Sequence, residues 1–185
     1  MKYFKYFTQF IFIMFLLILF KILGYKKASN FGSIIGRIFG KIIRTDRIIK
    51  KNINIIKNNS NLNINENQVV NEVFENYGRI LSEYVYLDKF KNGTFDKYIN
   101  INGKHYLDEI KINNKKVIFV SGHFNNFELM AMYLDTLGIN LAAIYRPLNN
   151  IFLNKIMERI RLKYICKNQI KKGKSGTREL LSFIK

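Results

Sequence analysis

Two side chains in the middle of the chain have types and spacing that could perform acid–base chemistry. His123 follows an apolar run and the pair Ser121-Gly122, and Glu128 comes five positions later. On one continuous helix they would point about 140° apart, so they can meet only if His123 precedes the helix in a loop. A carboxylate on one imidazole nitrogen would then leave the other free to take a proton from an attacking hydroxyl. The spacing alone also allows a purely structural histidine and glutamate.

Other kinds of site find less support in the sequence. There is no H-E-x-x-H pattern, no cysteine pair and no third ligand near His123, so we predict no metal and no cofactor. Cys166 is the single cysteine, and no intrachain disulfide can form.

The elements around this pair predict an α/β fold. Residues 117–120 form a short β-branched apolar run, and an amphipathic segment carrying Glu128 ends near Gly138. A second apolar run from Leu141 ends before Pro147, the only proline of the chain. A strand, a helix and a second strand in this order predict a βαβ unit. Open α/β sheets hold their chemistry at the carboxyl ends of the strands, where His123 would lie.

Two short motifs in this region resemble a known family. Residues 121–128 read SGHFNNFE, and residues 144–147 read IYRP. Together they resemble the lipid A lauroyl/myristoyl acyltransferase family, part of the lysophospholipid acyltransferase superfamily, whose motifs read H-x-G-N-W/F-E and Y-R-P. Asn125 stands where the family commonly has glycine, and asparagine is the next most tolerant residue for a left-handed turn. The matching first-motif positions are His123, Asn126, Phe127 and Glu128.

The resemblance implies a function and roles for single residues. It implies an O-acyltransferase that moves a fatty acyl group from acyl carrier protein to a hydroxyl of a lipid A precursor. His123 would be the general base and Glu128 would orient it. Arg146 would bind phosphate or phosphopantetheine charge, as a guanidinium does well, and Asn126 and Tyr145 are assigned to substrate binding. Family members extend well beyond the length of this chain, so we expect a truncated sheet domain that holds only their amino-terminal part.

The amino terminus predicts a membrane anchor over residues 1–25, followed by the acyltransferase domain over residues 26–185. Residues 6–20 carry no charge, and Lys26-Lys27 close the apolar stretch. No small-residue cleavage site follows, which favours an uncleaved helix over a signal peptide. The uncharged stretch is shorter than the about 20 residues of a full span, so the helix either spans narrowly or lies deep in one leaflet. Lysines flank the stretch on both sides, so its orientation rests on the greater basicity after position 25, which favours the cytoplasmic side of the bacterial inner membrane for the remainder.

Further segments have clear helical or strand patterns. Residues 30–44 alternate isoleucine and basic residues at helical spacing, which is typical either of a helix on a membrane surface or of one packed on the domain core. We predict helices over residues 66–89, 151–162 and 177–185, and a strand over 94–102. A basic cluster near residue 160 could meet phosphates, although a solvated helix face is the default interpretation; it consists of Arg159, Arg161 and Lys163.

The net charge of +18 suits anionic lipid, phosphorylated substrates, an acidic carrier protein or nucleic acid. Nucleic acid would leave the apolar amino terminus unexplained, so we predict no nucleic-acid partner. Two alternatives stay open. The acceptor could be another glycolipid or a lysophospholipid, or the chain could be a non-catalytic, basic, membrane-tethered protein.

Overall fold

The structure, a computed structural model, describes residues 2–184. This part of the chain is mostly helical and contains a two-stranded parallel sheet. It divides into two compact units: one contains residues up to Ile13 and from Leu87 onward, and the other is Met14–Tyr86. The α-helices are α1 (Lys2–Leu23), α2 (Tyr25–Ile43), α3 (Arg47–Asn59), α4 (Glu66–Glu83), α5 (Leu87–Lys91), α6 (Lys104–Ile112), α7 (Glu128–Thr136), α8 (Ile151–Ile160) and α9 (Lys174–Ile184), and the strands are β1 (Ala142–Tyr145) and β2 (Asn168–Lys171).

Helix α1 is long and apolar enough to cross a membrane, and no other helix in residues 2–184 meets that test. Its 22 residues would extend roughly 33 Å at 1.5 Å per residue, compared with about 30 Å for the hydrocarbon core of a bilayer. Most of its apolar side chains are exposed in the structure, whereas Leu16 and Phe20 are buried. This is what the predicted anchor requires, although a signal sequence passes the same test.

In the unit Met14–Tyr86, α2 packs on α4 through glycines. A Cβ atom added at Gly32 would overlap the carbonyl oxygen of Gly78, and one added at Gly36 would overlap the carbonyl oxygen of Phe74. Gly40 packs against the ring of the same phenylalanine. Because glycine has no side chain, the two helix backbones come into direct contact here. The predicted amphipathic helix over residues 30–44 is therefore confirmed within α2, and its glycine side is the packed one.

The same unit has a small apolar core beneath α3 and α4. Ile53, Val70 and Phe74 are buried together. Asn65 begins α4, with its side chain accepting a hydrogen bond from the backbone N–H of Gln68. The predicted helix over residues 66–89 is shorter than expected, because α4 ends at Glu83 and a 3₁₀ turn, Tyr84–Tyr86, separates it from α5.

In the other unit, a βαβ arrangement starts at the strand that the sequence predicts as its second, and not at residues 117–120. β1 and β2 are parallel, with Ala142 opposite Asn168 and Tyr145 opposite Lys171, and α8 connects them. The strand after Leu141 is confirmed. β2 was not predicted, because Ile170 is the only apolar residue of its four and no alternation marks it as a strand.

The predicted strand over residues 117–120 is wrong. This segment has no strand conformation, and Val117, Ile118 and Val120 are exposed. A strand is stable only when its backbone groups pair with a neighbour, and within residues 2–184 the sheet consists of β1 and β2 alone. Its apolar, β-branched composition was therefore not sufficient to make a strand.

The predicted strand over residues 94–102 is also wrong, and local contacts explain it. The side chain of Asn92 accepts hydrogen bonds from the backbone N–H and the hydroxyl of Thr94, at 3.1 and 2.6 Å. The ring of Phe95 packs edge-on against Phe90 and Tyr98. These contacts fold the segment into a turn and a short 3₁₀ helix, Asp96–Tyr98.

The two helices predicted near the carboxyl end are confirmed with shifted bounds. The helix predicted over residues 151–162 is α8, which continues into a π-helical turn, Arg161–Ile165. The helix predicted from residue 177 is α9, which begins earlier, at Lys174.

Candidate active site

The first motif forms an irregular loop that leads directly into α7. Asn125 has a φ of +46°, in the left-handed region. Asparagine accepts this backbone angle more readily than most residue types, and the left-handed turn expected at Asn125 is confirmed. Helix α7 begins at Glu128, so His123 lies ahead of the helix, which is the condition under which the two side chains can meet.

Glu128 is buried and held by an arginine from far along the chain. Its side chain is 8% exposed, and its Oε1 atom accepts hydrogen bonds from Nε and Nη2 of Arg161 at 2.9 and 2.6 Å. Two charge-assisted bonds to one oxygen define the position of the carboxylate closely. Arg161 opens the π-helical turn that follows α8. Such turns are rare and occur frequently at functional sites.

Tyr145 of the second motif joins the same cluster. The guanidinium carbon of Arg161 lies 5.6 Å from the centre of the Tyr145 ring, within the range of a cation–π contact. The tyrosine hydroxyl donates a 2.7 Å hydrogen bond to Oε1 of Glu158. Burial, followed by the hydrogen bond to this carboxylate, raises the pKa of Tyr145 to about 12. The tyrosine therefore stays protonated at neutral pH and acts as a hydrogen-bond donor.

Glu158 connects the tyrosine to the loop behind Pro147. Its Oε1 atom also accepts from Asn154 at 3.1 Å and pairs with Lys171 at 2.9 Å. The hydrogen bonds from Tyr145 and then Lys171 lower the pKa of Glu158. Asn154 in turn accepts a bond from the backbone N–H of Leu148 at 2.8 Å. The end of β1, the Tyr-Arg-Pro motif and α8 are thus joined by side-chain hydrogen bonds.

His123 lies outside this cluster. Its side chain is exposed, and its ring contacts the ring of Phe127 at a centroid distance of 4.2 Å. Within residues 2–184, no hydrogen bond or ion pair links His123 to Glu128. The structure brings Glu128 together with Arg161 and leaves the histidine at the loop surface.

The other predicted site residues have contrasting environments. Asn126 is buried, and its backbone carbonyl accepts a 3.1 Å bond from the N–H of Leu129 at the start of α7. Arg146 is exposed directly after β1, one residue from Tyr145. In the described part of the chain its side chain has no ion pair with a carboxylate, which leaves the guanidinium accessible to a ligand.

A buried asparagine ties the loop after Arg146 to the first helix. The Oδ1 atom of Asn150 accepts from the backbone N–H groups of Phe152 and Leu153 and so caps α8. Its Nδ2 atom donates to the backbone carbonyl of Tyr6 in α1 at 2.8 Å. Asn150, four residues after Arg146, therefore attaches the loop behind the second motif to α1.

Arg161 and Glu158 are the site residues that sequence reasoning missed. Arg161 was visible only as one member of a basic cluster, for which a solvated face was the default interpretation. Its side chain is in fact 15% exposed, whereas Arg159 is exposed. Helical periodicity could have separated these two arginines, but it could not have indicated Glu128 as the partner.

Comparison with known proteins identifies the family. The model of the family described as bacterial lipid A biosynthesis acyltransferase matches residues 1–185. The chain belongs to this family. No significant match was found among curated proteins or among solved structures.

Membership of the lipid A biosynthesis acyltransferase family confirms the resemblance inferred from the two motifs. The family implies an acyl donor and a lipid acceptor in general. Within residues 2–184, no group of three or more His, Cys, Asp or Glu side chains is arranged to hold a metal ion. The groups on which the chemistry could depend are the histidine, the carboxylates and the arginines described above.

Proposed function

We propose that this protein is a membrane-bound O-acyltransferase that moves a fatty acyl group from acyl carrier protein to a hydroxyl of a lipid A precursor. The observation that carries the proposal is that Glu128 of the first motif and Tyr145 of the second both contact Arg161. The two motifs noted in the sequence thus share one cluster, which is buried at Glu128 and partly buried at Tyr145 and Arg161. Family membership supplies the reaction class.

In the proposed reaction, the imidazole of His123 takes the proton of the acceptor hydroxyl. The oxygen attacks the carbonyl carbon of the carrier thioester, and a tetrahedral intermediate forms. Its collapse breaks the carbon–sulfur bond, and the carrier thiolate receives the proton from the imidazolium. The products are an ester of the acceptor lipid and the free carrier thiol.

The proposal requires the ring of His123 to turn from Phe127 toward Glu128. The histidine lies in an exposed loop beside the left-handed residue Asn125, and no hydrogen bond of its side chain exists within residues 2–184. Arg161 meanwhile holds Glu128 in a fixed position. A carboxylate held in this way can accept an imidazole N–H when substrate closes the loop.

Arg146 is proposed to bind the negative charge of the substrate. Lipid A precursors and the phosphopantetheine arm of acyl carrier protein both carry phosphate, and a guanidinium binds phosphate oxygens well. Arg146 is exposed and follows the strand that ends in Tyr145. We assign Asn126 and Tyr145 to substrate positioning, since both belong to the matched motifs.

The proposed location is the cytoplasmic face of the bacterial inner membrane. Helix α1 is long enough to cross a bilayer, and Lys26 and Lys27 lie in the first turn of α2, shortly after its end. Basic residues next to an apolar helix favour the cytoplasmic side. Acyl carrier protein, a soluble acidic donor, would reach the site from that side.

The test is acyl transfer in isolated membranes that contain the full chain, with radiolabelled acyl carrier protein thioester and a lipid A precursor. We expect label in lipid with the parent chain, and a loss of about 100-fold or more with His123→Ala and with Glu128→Gln. The matched control is His105→Ala, which removes the other histidine of the chain, exposed on α6. Equal transfer by the parent and His123→Ala would contradict the assigned base.

A second candidate function is a non-catalytic, membrane-tethered binding protein. The separation of His123 from Glu128 favours it, because both would then be structural residues. It predicts no transfer to a lipid A precursor, to another glycolipid or to a lysophospholipid, with membranes that contain the folded parent chain. Transfer only to another glycolipid or to a lysophospholipid would support acyltransferase activity with a different acceptor.

A further inference from the structure

Helix α2 exposes an apolar stripe on the side opposite its packed glycines. At 100° per residue, Ile34, Ile38 and Ile42 lie about 160–240° around the helix from Gly36. Their side chains are 53%, 58% and 79% exposed. The glycine side is fully used, since it contacts the backbone of α4. The isoleucines therefore do not belong to the core of this unit, and an exposed apolar stripe of this length indicates a binding surface.

The charge along this stripe indicates what covers it. Helix α2 carries four basic residues and no acidic residue. Arg37 and Lys41 lie along one edge of the isoleucines, followed by Arg44 directly after the helix. A wide apolar face bordered by basic side chains is the pattern of a helix that lies in the interface of an anionic bilayer. A second copy of the chain would bring like charges together and is disfavoured.

The connection to α1 gives a second, independent argument. Helix α1 ends at Leu23, and α2 begins at Tyr25 after the single residue Gly24, whose φ is +75°. An apolar cleft where the two helices meet is lined by Leu19, Leu23, Lys27 and Phe31. Whether α1 crosses the membrane or lies deep in one leaflet, α2 starts close to the bilayer surface, because the single residue Gly24 can span at most about 3.5 Å.

We propose that α2 lies in the surface of an anionic bilayer, with Ile34, Ile38 and Ile42 in its apolar region and Lys41 and Arg44 at the headgroups. This inference rests on the proposed function only in that both insert α1 in the membrane. It assigns a second membrane contact, which holds the unit Met14–Tyr86 against the lipid surface.

The experiment uses the full chain with one added cysteine, Ile38→Cys, labelled with a nitroxide. The native Cys166 is buried, and the unmodified parent measures its background labelling. The matched control is Glu72→Cys, an exposed position on α4. Collision rates with oxygen, which concentrates in lipid, and with a water-soluble nickel chelate report the depth of each label in vesicles of phosphatidylglycerol and phosphatidylethanolamine.

We expect the label at position 38 to collide mainly with oxygen and the label at position 72 mainly with nickel. Two exposed basic residues test the charge argument, since Lys41→Glu with Arg44→Glu should raise nickel collisions at position 38 several-fold. The control with the same charge change, Lys104→Glu with Lys111→Glu on α6, should leave them unchanged.

Three results would overturn the proposal. Equal nickel access at positions 38 and 72 would show that α2 is in water. Equal burial of the label in vesicles of phosphatidylcholine alone would remove the need for anionic lipid. Spin–spin broadening that disappears on dilution with unlabelled chain would show that a second copy covers the stripe. None of these readouts depends on acyl transfer, so a failure here is distinct from a failure of the proposed activity.

Discussion

The two ends of the first motif lie in contrasting environments. His123 is exposed, with a ring contact to Phe127 four residues away. Glu128 is buried beneath Arg161, which is 33 positions further along the chain. The carboxylate end depends on tertiary contacts, whereas the histidine end depends on its own loop. Stability should therefore respond to Glu128 and its arginine but not to His123, whereas acyl transfer should respond to both His123 and Glu128.

Among the variants that test this contrast, Arg161→Ala is expected to lower the free energy of unfolding most. It leaves the buried carboxylate of Glu128 without its arginine, and losing one partner of a buried ion pair costs about 3–5 kcal/mol. Urea titration in detergent micelles, followed by circular dichroism, would measure the free energy of unfolding. Arg159→Ala is the control, and it should change this quantity by less than about 0.5 kcal/mol because Arg159 is exposed. If Arg161→Ala were as stable as the parent, the ion pair would not contribute to the stability of the fold.

Tyr145→Phe is expected to lower the free energy of unfolding by less than Arg161→Ala does. The change removes the hydroxyl that donates to Glu158, and a hydrogen bond to a charged group contributes about 1.5–3 kcal/mol. The same unfolding titration measures it. Tyr106→Phe serves as the control, because that tyrosine is 63% exposed on α6. An equal response of both variants would show that the bond to Glu158 adds nothing to stability.

The pH dependence of stability in the parent and in Tyr145→Phe tests the environment of this tyrosine. Folding raises the pKa of Tyr145 to about 12, above the unfolded value of about 10. Its contribution to stability is therefore complete below pH 10 and is lost as the pH rises toward 12. The stability difference between the parent and Tyr145→Phe should narrow over this range. A constant difference would place the tyrosine in an ordinary, water-like environment.

The smallest effect on stability is expected at the other end of the motif. His123→Ala removes an exposed ring with no hydrogen bond in residues 2–184, so the free energy of unfolding should change by less than about 0.5 kcal/mol. Thermal unfolding in micelles, read beside the acyl-transfer assay, checks both quantities on one preparation. A large destabilisation by His123→Ala would mean that the histidine is structural and would erase the contrast with Glu128.

Local patterns in the sequence predicted several elements well. The apolar stretch of α1, the periodicity of α2 and the strand β1 are strong local signals, and each is present. The left-handed turn at Asn125 was also predictable, because few residue types accept that backbone angle. These features depend on neighbouring residues and can be deduced from the sequence alone.

The predictions that failed concerned segments whose conformation depends on a distant partner. Residues 117–120 have the composition of a strand, but no strand pairs with them in the described part of the chain. β2 is the opposite case. Its sequence is mostly polar, and it forms a strand because it pairs with β1. Pairing decided both outcomes, and intrinsic preference for strand conformation did not.

The sequence by itself determined the family, the two motifs, the apolar first helix and the residue types of the site. Only the tertiary structure decided that Arg161 meets Glu128 and Tyr145, and that the glycine side of α2 is packed while its isoleucine side is exposed. The physical reason is the same in both cases. A side chain's type depends on the sequence alone, whereas its burial and its partner depend on which distant segment packs against it.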